Sequence, residues 1–454
     1  MTLPERYFSE VLAEFIVETD YEDLPQEVIH QAKRCLLDFL GVALAGSRVE
    51  LAPLMATLLY EMGGRKEVTL IGGGKKLPAF QAALINGISG HTLDMDDGHR
   101  FANGHPGVTT LPAALAMAER EDATGMALIE AIVVGYEIFA RIASLVNPSH
   151  LRRGFHTTGT IGPFGAAAAC SKILKLSREA TKNALAIAGL QGAGLLEVLE
   201  RGQMMKPLHP GKAAQAGLLA SLLAEKGAEG PSSIFEGEKG FFKAFSDGVP
   251  SKEISRAFER PFEIMNTYFK RYAACRHIHS SLDALKEILG RNAIDIHAIE
   301  RIDVHTYSVA YRLTGQNRDV RREVDAKFSL PLSIGLMCVY GNAGVDEYSM
   351  EKIRHPLVQR IAAEVAVIVD QARDDAYPKE RSSRVDVITS KGTFRHEVHL
   401  PKGDPEDPLS DEELKEKFSH NARKVLEQEK IEKAIEILFG KERFSVRELM
   451  GLLS

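Results

Sequence analysis

The spacing of apolar residues in the first half of the chain predicts a series of helices. Between Pro25 and Gly46 the apolar side chains recur every three or four positions, which is the period of one helix face. Pro25 suits a first helical turn, and Gly46 can end the helix. The Gly- and Ala-rich stretches 155–174 and 211–227 have almost no polar face, which is typical of helices inside a large helical domain.

The pattern changes near residue 265. Residues 299–313 alternate and are rich in β-branched side chains and Tyr, which predicts a strand. Residues 384–400 predict two strands around a Lys-Gly turn. Helical patterns lie between these strands and return in the C-terminal tail. The predicted fold class is therefore mainly α with α+β. Its parts are a large helical domain at 1–264, a smaller α/β lid at 265–400, and C-terminal helices at 401–454 that return to the helical domain.

Composition and charge narrow the class of protein. The 454 residues carry a formal net charge of -6, so we expect no nucleic-acid partner. No apolar run reaches the roughly 18 residues that span a bilayer, and the N-terminus lacks the pattern of an export signal. The four cysteines form no CxxC pair, which disfavours a zinc knuckle or a redox motif. These features together predict a cytoplasmic protein with no membrane association.

The stretch GHTLDMDDGHRFANGHPG, residues 90–107, concentrates ionisable side chains on a loop after a predicted helix. Its acids and imidazoles allow three interpretations: a solvated loop, a metal site, or a site of acid–base catalysis. Clustered carboxylates raise one another's pKa, and a carboxylate beside a histidine orients and charges the imidazole. The spacing matches no known metal motif. The residues weighed as ligands are Asp94, Asp96, Asp97, His99 and His105.

Other polar residues stand at the ends of apolar elements. His156 precedes one Gly/Ala-rich helix, and Lys206 precedes the other, where an unpaired lysine would be costly. Arg276 and His279 belong to the segment ACRHIH, and Tyr311 lies near the end of a predicted strand. Each has a structural alternative, such as a helix-start histidine or an interface tyrosine. Taken together, they would suit a small polyanionic substrate.

Five segments resemble, in order, the signatures of the MmgE/PrpD family. They are HTLDMDDGH…GHPG, GFHTTGTIGPFGAAAA, KPLHPGKAAQAG, CRHIHSSLDA and AKFSLPLSIG. The family contains 2-methylcitrate dehydratase, cis-aconitate decarboxylase and iminodisuccinate epimerase. The resemblance implies a large helical domain, a smaller α/β lid, a cleft between them and a homodimer. It also implies catalysis without the iron–sulfur cluster of aconitases, and we expect no metal and no other cofactor.

The resemblance also assigns roles to residues. It implies five catalytic positions: Asp94, His105, His156, Lys206 and His279. We add His99 and Arg276, together with the family tyrosine matched by Tyr311, as predicted substrate-binding residues. The chain departs from the dehydratase and the decarboxylase at Gly98, where both have a threonine after the paired aspartates.

The leading hypothesis is a cofactor-independent lyase that acts on a small di- or tricarboxylic acid, most simply by dehydration. His105, backed by Asp94, is the predicted general base. Three alternatives stay open at this stage: an iminodisuccinate-type epimerase, a non-catalytic carboxylate-binding protein, and a metalloenzyme.

Overall fold

The computed structural model describes residues 6–201, 203–258, 262–440 and 443–454. The chain forms two compact units. The first unit contains the chain up to Thr92, then Asp96–Tyr268 and Asp411–Ser454, and the second contains Leu93–Met95 and Phe269–Ser410. The predicted domain boundaries, after residues 264 and 400, fall before these divisions at 268 and 410.

The first unit is built from helices of both long and single-turn length. Their bounds are α1 Phe8–Glu18, α2 Gln26–Gly46, α3 Leu51–Met62, α4 Ala79–Thr92, α5 Gly107–Arg120, α6 Gly125–Val146, α7 Ser149–Arg152, α8 Thr157–Ile173, α9 Arg178–Gly189, α10 Val198–Arg201, α11 Leu208–Glu225, α12 Phe241–Phe245 and α13 Ser251–Arg256. Its short strand pairs are β1 Val68–Thr69 with β2 Lys76–Leu77, and β3 Gly98–His99 with β4 Thr267–Tyr268. The predicted helix between Pro25 and Gly46 is confirmed as α2, with Pro25 at its N-cap.

Helices α8 and α11 are the two Gly/Ala-rich stretches, and both lie inside this unit. A Cβ atom on Gly217 of α11 would stand 2.5 Å from the carbonyl oxygen of Pro163 in α8. Real Cβ contacts are longer, so glycine at this position lets the two backbones approach closely. A cluster of phenylalanines packs in the same core, and it includes the fully buried Phe139 and Phe164.

The second unit combines a four-stranded sheet with helices. The helices are α14 His279–Arg291, α15 Ser308–Ala310, α16 Glu323–Ala326, α17 Leu330–Tyr340, α18 Met350–Ile353, α19 Pro356–Ala363 and α20 Gln371–Ala376. The strands are β5 Ile299–Thr306, β6 Val365–Val369, β7 Ser383–Thr389 and β8 Gly392–Val398, in the order β6-β5-β7-β8. Strand β6 pairs parallel with β5, and the other two pairings are antiparallel.

The sequence-based prediction for this unit is partly right. The β7–β8 hairpin around Lys391 and Gly392 is confirmed. The predicted strand 299–313 is wrong beyond Thr306, where α15 and a π-helical turn, Tyr311–Gly315, follow. Strand β6 was missed because its apolar run directly follows the helical pattern of α19 and has no turn residues before it.

The tail forms α21 Asp411–Ala422, α22 Gln428–Gly440 and α23 Val446–Leu452, which belong to the first unit. Lys417 of α21 forms a buried ion pair with Asp38 of α2, with 2.5 Å between Nζ and Oδ1. Where α21 crosses α2, a Cβ atom on Gly41 would lie 3.0 Å from the Phe418 backbone. Within the described ranges, no helix is long and apolar enough to span a membrane.

Candidate active site

The acidic loop of the first unit is anchored by Asp97. Its Oδ2 accepts a hydrogen bond from the Tyr136 hydroxyl at 2.6 Å, and its Oδ1 accepts one from the Gly107 amide at 3.2 Å. A Cβ atom on Gly107 would lie 2.4 Å from that Oδ1, so glycine makes room for the carboxylate. Burial raises the pKa of Asp97 well above its usual value, against the opposing effect of Tyr136. Asp97 is therefore a structural anchor of this loop.

Asp96 binds two imidazoles with one oxygen. His91 Nδ1 and His105 Nδ1 each lie 2.9 Å from Asp96 Oδ2. His105 Nδ1 also lies 2.6 Å from the carbonyl oxygen of Asp97. Because carboxylate and carbonyl oxygens accept hydrogen bonds, the Nδ1 of His105 must carry a proton, and its neutral ring has the lone pair on Nε2. We predicted Asp94 as the carboxylate partner of His105; the structure pairs His105 with Asp96 instead.

The charges of this cluster follow from its burial. Burial alone would raise the pKa of Asp96, but His91 and His105 outweigh it and hold that pKa well below the usual range. Burial lowers the pKa of His91 to about 4, against the opposing charge of Asp96 and with a further lowering by Lys206. At neutral pH the cluster therefore contains a carboxylate and a neutral His91 ring.

His156 and Lys206 belong to the same group of side chains. The His156 ring lies 6.3 Å from the His91 ring, and the His91 ring lies 4.9 Å from the His105 ring. Burial lowers the pKa of His156 well below its usual value, and the charge of Lys206 lowers it further. His156 is the N-cap residue of α8, and its own Nδ1 lies 2.9 Å from Nδ1 of His209. The structure thus brings together three predicted residues: His105, His156 and Lys206.

His99 has structural partners on both ring nitrogens. Its Nε2 donates to the carbonyl oxygen of Glu263 at 3.0 Å, and its Nδ1 accepts from the Ala102 amide at 3.1 Å. The residue is 1% exposed. These contacts favour a role in holding the loop over the predicted role in substrate binding.

The neighbouring Gly98 explains the departure from the family pattern. It pairs with Tyr268 across β3 and β4. A Cβ atom on Gly98 would lie 2.3 Å from the Tyr268 hydroxyl and 2.4 Å from its ring. The tyrosine fills the space that a residue-98 side chain needs, so a threonine does not fit here.

Asp94 lies in the second unit and pairs with a lysine that sequence reasoning missed. Lys270 Nζ donates to the Asp94 carbonyl oxygen at 2.8 Å and lies 3.3 Å from its Oδ2. Lys327 Nζ donates to the carbonyl oxygen of Leu93 at 2.9 Å. Both lysines are at least 95% buried, and Asp94 has a φ of 51°, the left-handed region that aspartate tolerates better than most residues. A buried ammonium beside a carboxylate is equipped for proton transfer.

The segment ACRHIH places its two histidines differently. His279 is fully buried; its Nδ1 accepts from Arg276 at 3.1 Å, and its Nε2 donates to the carbonyl oxygen of Ala274 at 3.2 Å. His277 is half-buried and its Nδ1 lies 2.6 Å from the Tyr307 hydroxyl. Burial lowers the pKa of His277 to about 3, with Arg381 and Lys270 adding to the effect. Because both ring nitrogens of His279 have partners, these contacts favour His277 over the predicted His279 as a candidate for proton transfer.

Arg276 and Tyr311 complete the predicted set in this unit. The guanidinium of Arg276 donates to Asp404 Oδ1 at 2.8 Å and to the carbonyl oxygen of Pro401 at 3.1 Å, which favours a structural role. Tyr311 begins the π-helical turn, and its hydroxyl accepts from Gln316 at 2.9 Å. Single π-helical turns are frequent at functional sites. Tyr311 therefore stays a predicted binding residue.

The imidazole cluster also has the donor set of a divalent-cation site. One ligand atom each from His91, Asp96 and His105 lies within 4.8 Å of the others. Two imidazoles and a carboxylate suit Zn²⁺ or Fe²⁺. A cation on the Nδ1 atoms would displace the protons that these atoms share with Asp96. Metal binding through these Nδ1 atoms and the hydrogen-bonded arrangement therefore exclude each other.

The predicted catalytic and substrate-binding residues did not include five members of these clusters, although Asp96 was weighed as a metal ligand: His91, Asp96, His209, Lys270 and His277. His91 and Asp96 stood in the acidic stretch, where the spacing of five residues between them did not show that they touch. His209 follows Lys206 by three residues, one helical turn. Lys270 carried the clearest signal, because it stands with Arg271 between aromatic residues, and a lysine is costly to bury without a partner.

Comparison with known proteins identifies the family. The family model described as the MmgE/PrpD N-terminal domain matches residues 10–253, and the MmgE/PrpD C-terminal domain matches residues 272–439. The resemblance read from the sequence signatures is therefore confirmed.

Named relatives match along most of the chain. A cis-aconitate decarboxylase-like protein, oryM, of Aspergillus oryzae is 27% identical over 99% of this chain and 98% of its own length. The human cis-aconitate decarboxylase is 28% identical over 91% of this chain and 88% of its own. A probable 2-methylcitrate dehydratase of Saccharomyces cerevisiae is 22% identical over 84% and 77%. The chain belongs to the MmgE/PrpD family and is related to a carboxy-lyase and to a hydro-lyase.

Proposed function

We propose that the protein is a lyase that acts on a small di- or tricarboxylic acid by general acid–base chemistry, without a cofactor. The observation that carries the proposal is the pairing of His105 with Asp96. It leaves a lone pair on Nε2 of a partly exposed imidazole whose other nitrogen is held by a buried carboxylate. This is the arrangement of a general base with a fixed tautomer.

The reaction that we propose first is dehydration. His105 Nε2 removes a proton from the carbon next to a substrate carboxylate, and Asp96 stabilises the imidazolium that forms. Negative charge then develops on the carboxylate, where a cation lowers the barrier. Lys206 supplies positive charge to this group of side chains, since its charge acts on His91, His156 and His209. The hydroxyl group on the neighbouring carbon then takes the proton from the His105 imidazolium and leaves as water, which completes the elimination and restores the neutral base.

Decarboxylation is the second candidate, because the relatives matched over more than nine-tenths of this chain are named cis-aconitate decarboxylases. In that reaction the carboxyl group leaves as carbon dioxide and the resulting carbanion takes a proton. The same cationic environment would stabilise the carbanion. The Lys270–Asp94 pair and His277 of the second unit are further candidates for proton transfer.

The decisive experiment is a substrate panel of 2-methylcitrate, citrate, cis-aconitate and an aspartate-derived imine. Dehydration is followed by formation of a conjugated double bond, and decarboxylation by release of carbon dioxide. Proton–deuterium exchange in heavy water without net product would indicate an epimerase instead. Tight binding of these acids with no turnover would indicate a carboxylate-binding protein and overturn the proposed activity.

Cofactor independence and assembly are tested separately. We propose that activity survives exhaustive chelation; loss of activity on chelation, restored by one divalent cation, would assign the imidazole cluster to a metal. We also propose a cytoplasmic homodimer. Light scattering of the purified protein measures the assembly, and a monomer at assay concentration would contradict it.

A further inference from the structure

His156 and His209 form a direct contact between two imidazole rings. Their Nδ1 atoms lie 2.9 Å apart, and their ring centroids lie 5.2 Å apart. A hydrogen bond between two ring nitrogens needs one proton and one lone pair, because two lone pairs or two N–H groups repel each other. The two rings must therefore hold opposite tautomers: one has its proton on Nδ1, and the other has it on Nε2.

Both rings are neutral at physiological pH. Burial lowers the pKa of His156 well below its usual value, and burial also lowers the pKa of His209. The charge of Lys206 lowers both further. His156 is also the N-cap residue of the 17-residue helix α8, where the positive end of the helix dipole disfavours an imidazolium.

The backbone around the pair is shaped to bring the rings together. The His156 amide donates to the carbonyl oxygen of Gly194 at 3.0 Å. A Cβ atom on Gly159, in the first turn of α8, would lie 3.1 Å from Cβ of His209 and 2.5 Å from the carbonyl oxygen of Ala193. Glycine at 159 therefore lets the first turn of α11 place His209 against His156.

The tautomer of His156 follows from its partner in the reaction. His105 has its proton on Nδ1 and is the base, so a second imidazole is useful as a donor. We propose that His209 is a positioning residue: it donates its Nδ1 proton to Nδ1 of His156 and so fixes His156 as the Nε2–H tautomer, a neutral hydrogen-bond donor to a substrate carboxylate. This inference rests on the proposed function for its substrate class. A neutral imidazole kept uncharged by a helix N-terminus is an effective electrophile for a developing oxyanion, and no proton needs to leave it.

The first test measures the tautomers without any substrate. Nitrogen NMR of the full-length protein labelled with ¹⁵N-histidine distinguishes protonated from unprotonated ring nitrogens. We expect a lone pair on His156 Nδ1 and a proton on His209 Nδ1. His209→Phe keeps a ring but removes the donor, and His209→Asn keeps an amide N–H near the position of Nδ1. His156 should lose its single tautomer in the Phe variant and keep it in the Asn variant.

The matched control is His150→Asn. His150 is also buried in the first unit, and its Nε2 lies 2.7 Å from the hydroxyl of Thr160 in the same α8 helix. This variant disturbs packing on α8 without touching the Nδ1–Nδ1 contact, so the His156 tautomer should not change. A proton on His156 Nδ1 in the wild type would overturn the inference.

Kinetics with the acid found in the panel test the consequence for catalysis. Removing a donor to developing negative charge typically costs about 10²-fold in kcat. We expect the Phe variant to lose kcat on that order with little change in KM, and the Asn variant to recover most of it. Equal kcat in the two variants would overturn the positioning role. If the wild type turns over none of the acids, the proposed function fails, while the NMR measurement still decides whether His209 sets the tautomer of His156.

Discussion

The acidic loop of the first unit and the segment that starts at Lys270 in the second unit both bury an aspartate, but they pair it with different partners. In the loop, one carboxylate oxygen of Asp96 organises two imidazoles, His91 and His105. In the second unit, one ammonium group, Lys270, binds both the carbonyl and the carboxylate of Asp94. The contact with Asp96 determines which nitrogen of His105, the proposed base, carries the proton. The contact with Lys270 keeps an ion pair with Asp94 buried.

The comparison shows that a histidine in a signature is informative only together with its hydrogen-bond partners. His105 has its acceptors on Nδ1, and Nε2 is the nitrogen that we propose for proton transfer. His279 has an acceptor on one nitrogen and a donor on the other, so neither is available. Both residues were predicted from the sequence to be catalytic.

Replacing the base should have the largest effect on activity. We expect His105→Ala to reduce turnover by about 10²–10⁴-fold, the usual contribution of a histidine acid–base group. The variant should stay folded, because its side chain is partly exposed. Initial rates and a circular-dichroism melt measure the two effects. Activity equal to the wild type would remove His105 from the mechanism.

Breaking the charge pair of the second unit should mainly affect stability. Lys270→Met leaves the Asp94 carboxylate buried without its ammonium, and breaking a buried pair costs about 3–5 kcal/mol. Urea unfolding at pH 7 measures this free energy. The double variant Lys270→Met/Asp94→Asn removes both charges and should recover much of the loss. A double variant as unstable as the single one would show that the pair is not coupled in this way.

The neutral His91 ring predicts a pH dependence of stability. In the folded protein the pKa of His91 is about 4, and in the unfolded chain it is near 6.5. As the pH falls below 6.5 the unfolded chain binds a proton that the folded protein excludes, so this contribution to stability is lost progressively down to pH 4. The loss amounts to about 3 kcal/mol.

The variant His91→Asn isolates this contribution. Other buried histidines, such as His156 and His277, titrate in the same direction, so the slope of the wild type alone does not identify His91. The free energy of unfolding of the variant, measured between pH 7 and pH 4.5, should fall less steeply than that of the wild type. Parallel curves would contradict the assignment.

A smaller effect is expected at Gly98, because the neighbouring Tyr268 leaves no room for a side chain at this position. Gly98→Ala forces a Cβ atom to within 2.3 Å of the Tyr268 hydroxyl, and overpacking of this kind costs about 1–3 kcal/mol. Adding Tyr268→Ala should relieve the strain. Gly290→Ala is the matched control, since nothing lies within 4 Å of its Cβ position in α14. If the two alanine variants have equal melting temperatures, steric exclusion at residue 98 is wrong.

The helices could be read from the sequence because their signal is local. The residues of a buried helix face repeat every three or four positions, as in α2. The two Gly/Ala-rich helices, α8 and α11, have almost no polar face, which predicted a close-packed interior. The hairpin β7–β8 carried its own turn at Lys391 and Gly392. Strand β6 was missed because its neighbour in the sheet, β5, is about sixty residues earlier in the chain, so no local pattern marks the pairing.

The sequence predicted which residues lie together better than it predicted which side chains form hydrogen bonds with one another. His105, His156 and Lys206 fall in one group, as expected for a catalytic site. Asp94 and Asp96 are two residues apart, yet they belong to different units. Asp94 adopts a positive φ, which redirects the chain at that point. Spacing in an irregular loop has no fixed period, so the sequence could not reveal which aspartate turns toward His105.

Local patterns in the sequence were enough to predict the helical and hairpin elements, the family, and the loop at residues 90–107 as the place of the proposed chemistry. The tertiary structure alone decided that Asp96 pairs with His105, that Lys270 pairs with Asp94, and that His156 meets His209. The physical reason is that periodicity reports which face of an element is buried, whereas hydrogen bonds between distant side chains depend on distances of a few tenths of an ångström. Those distances exist only after the backbone has folded.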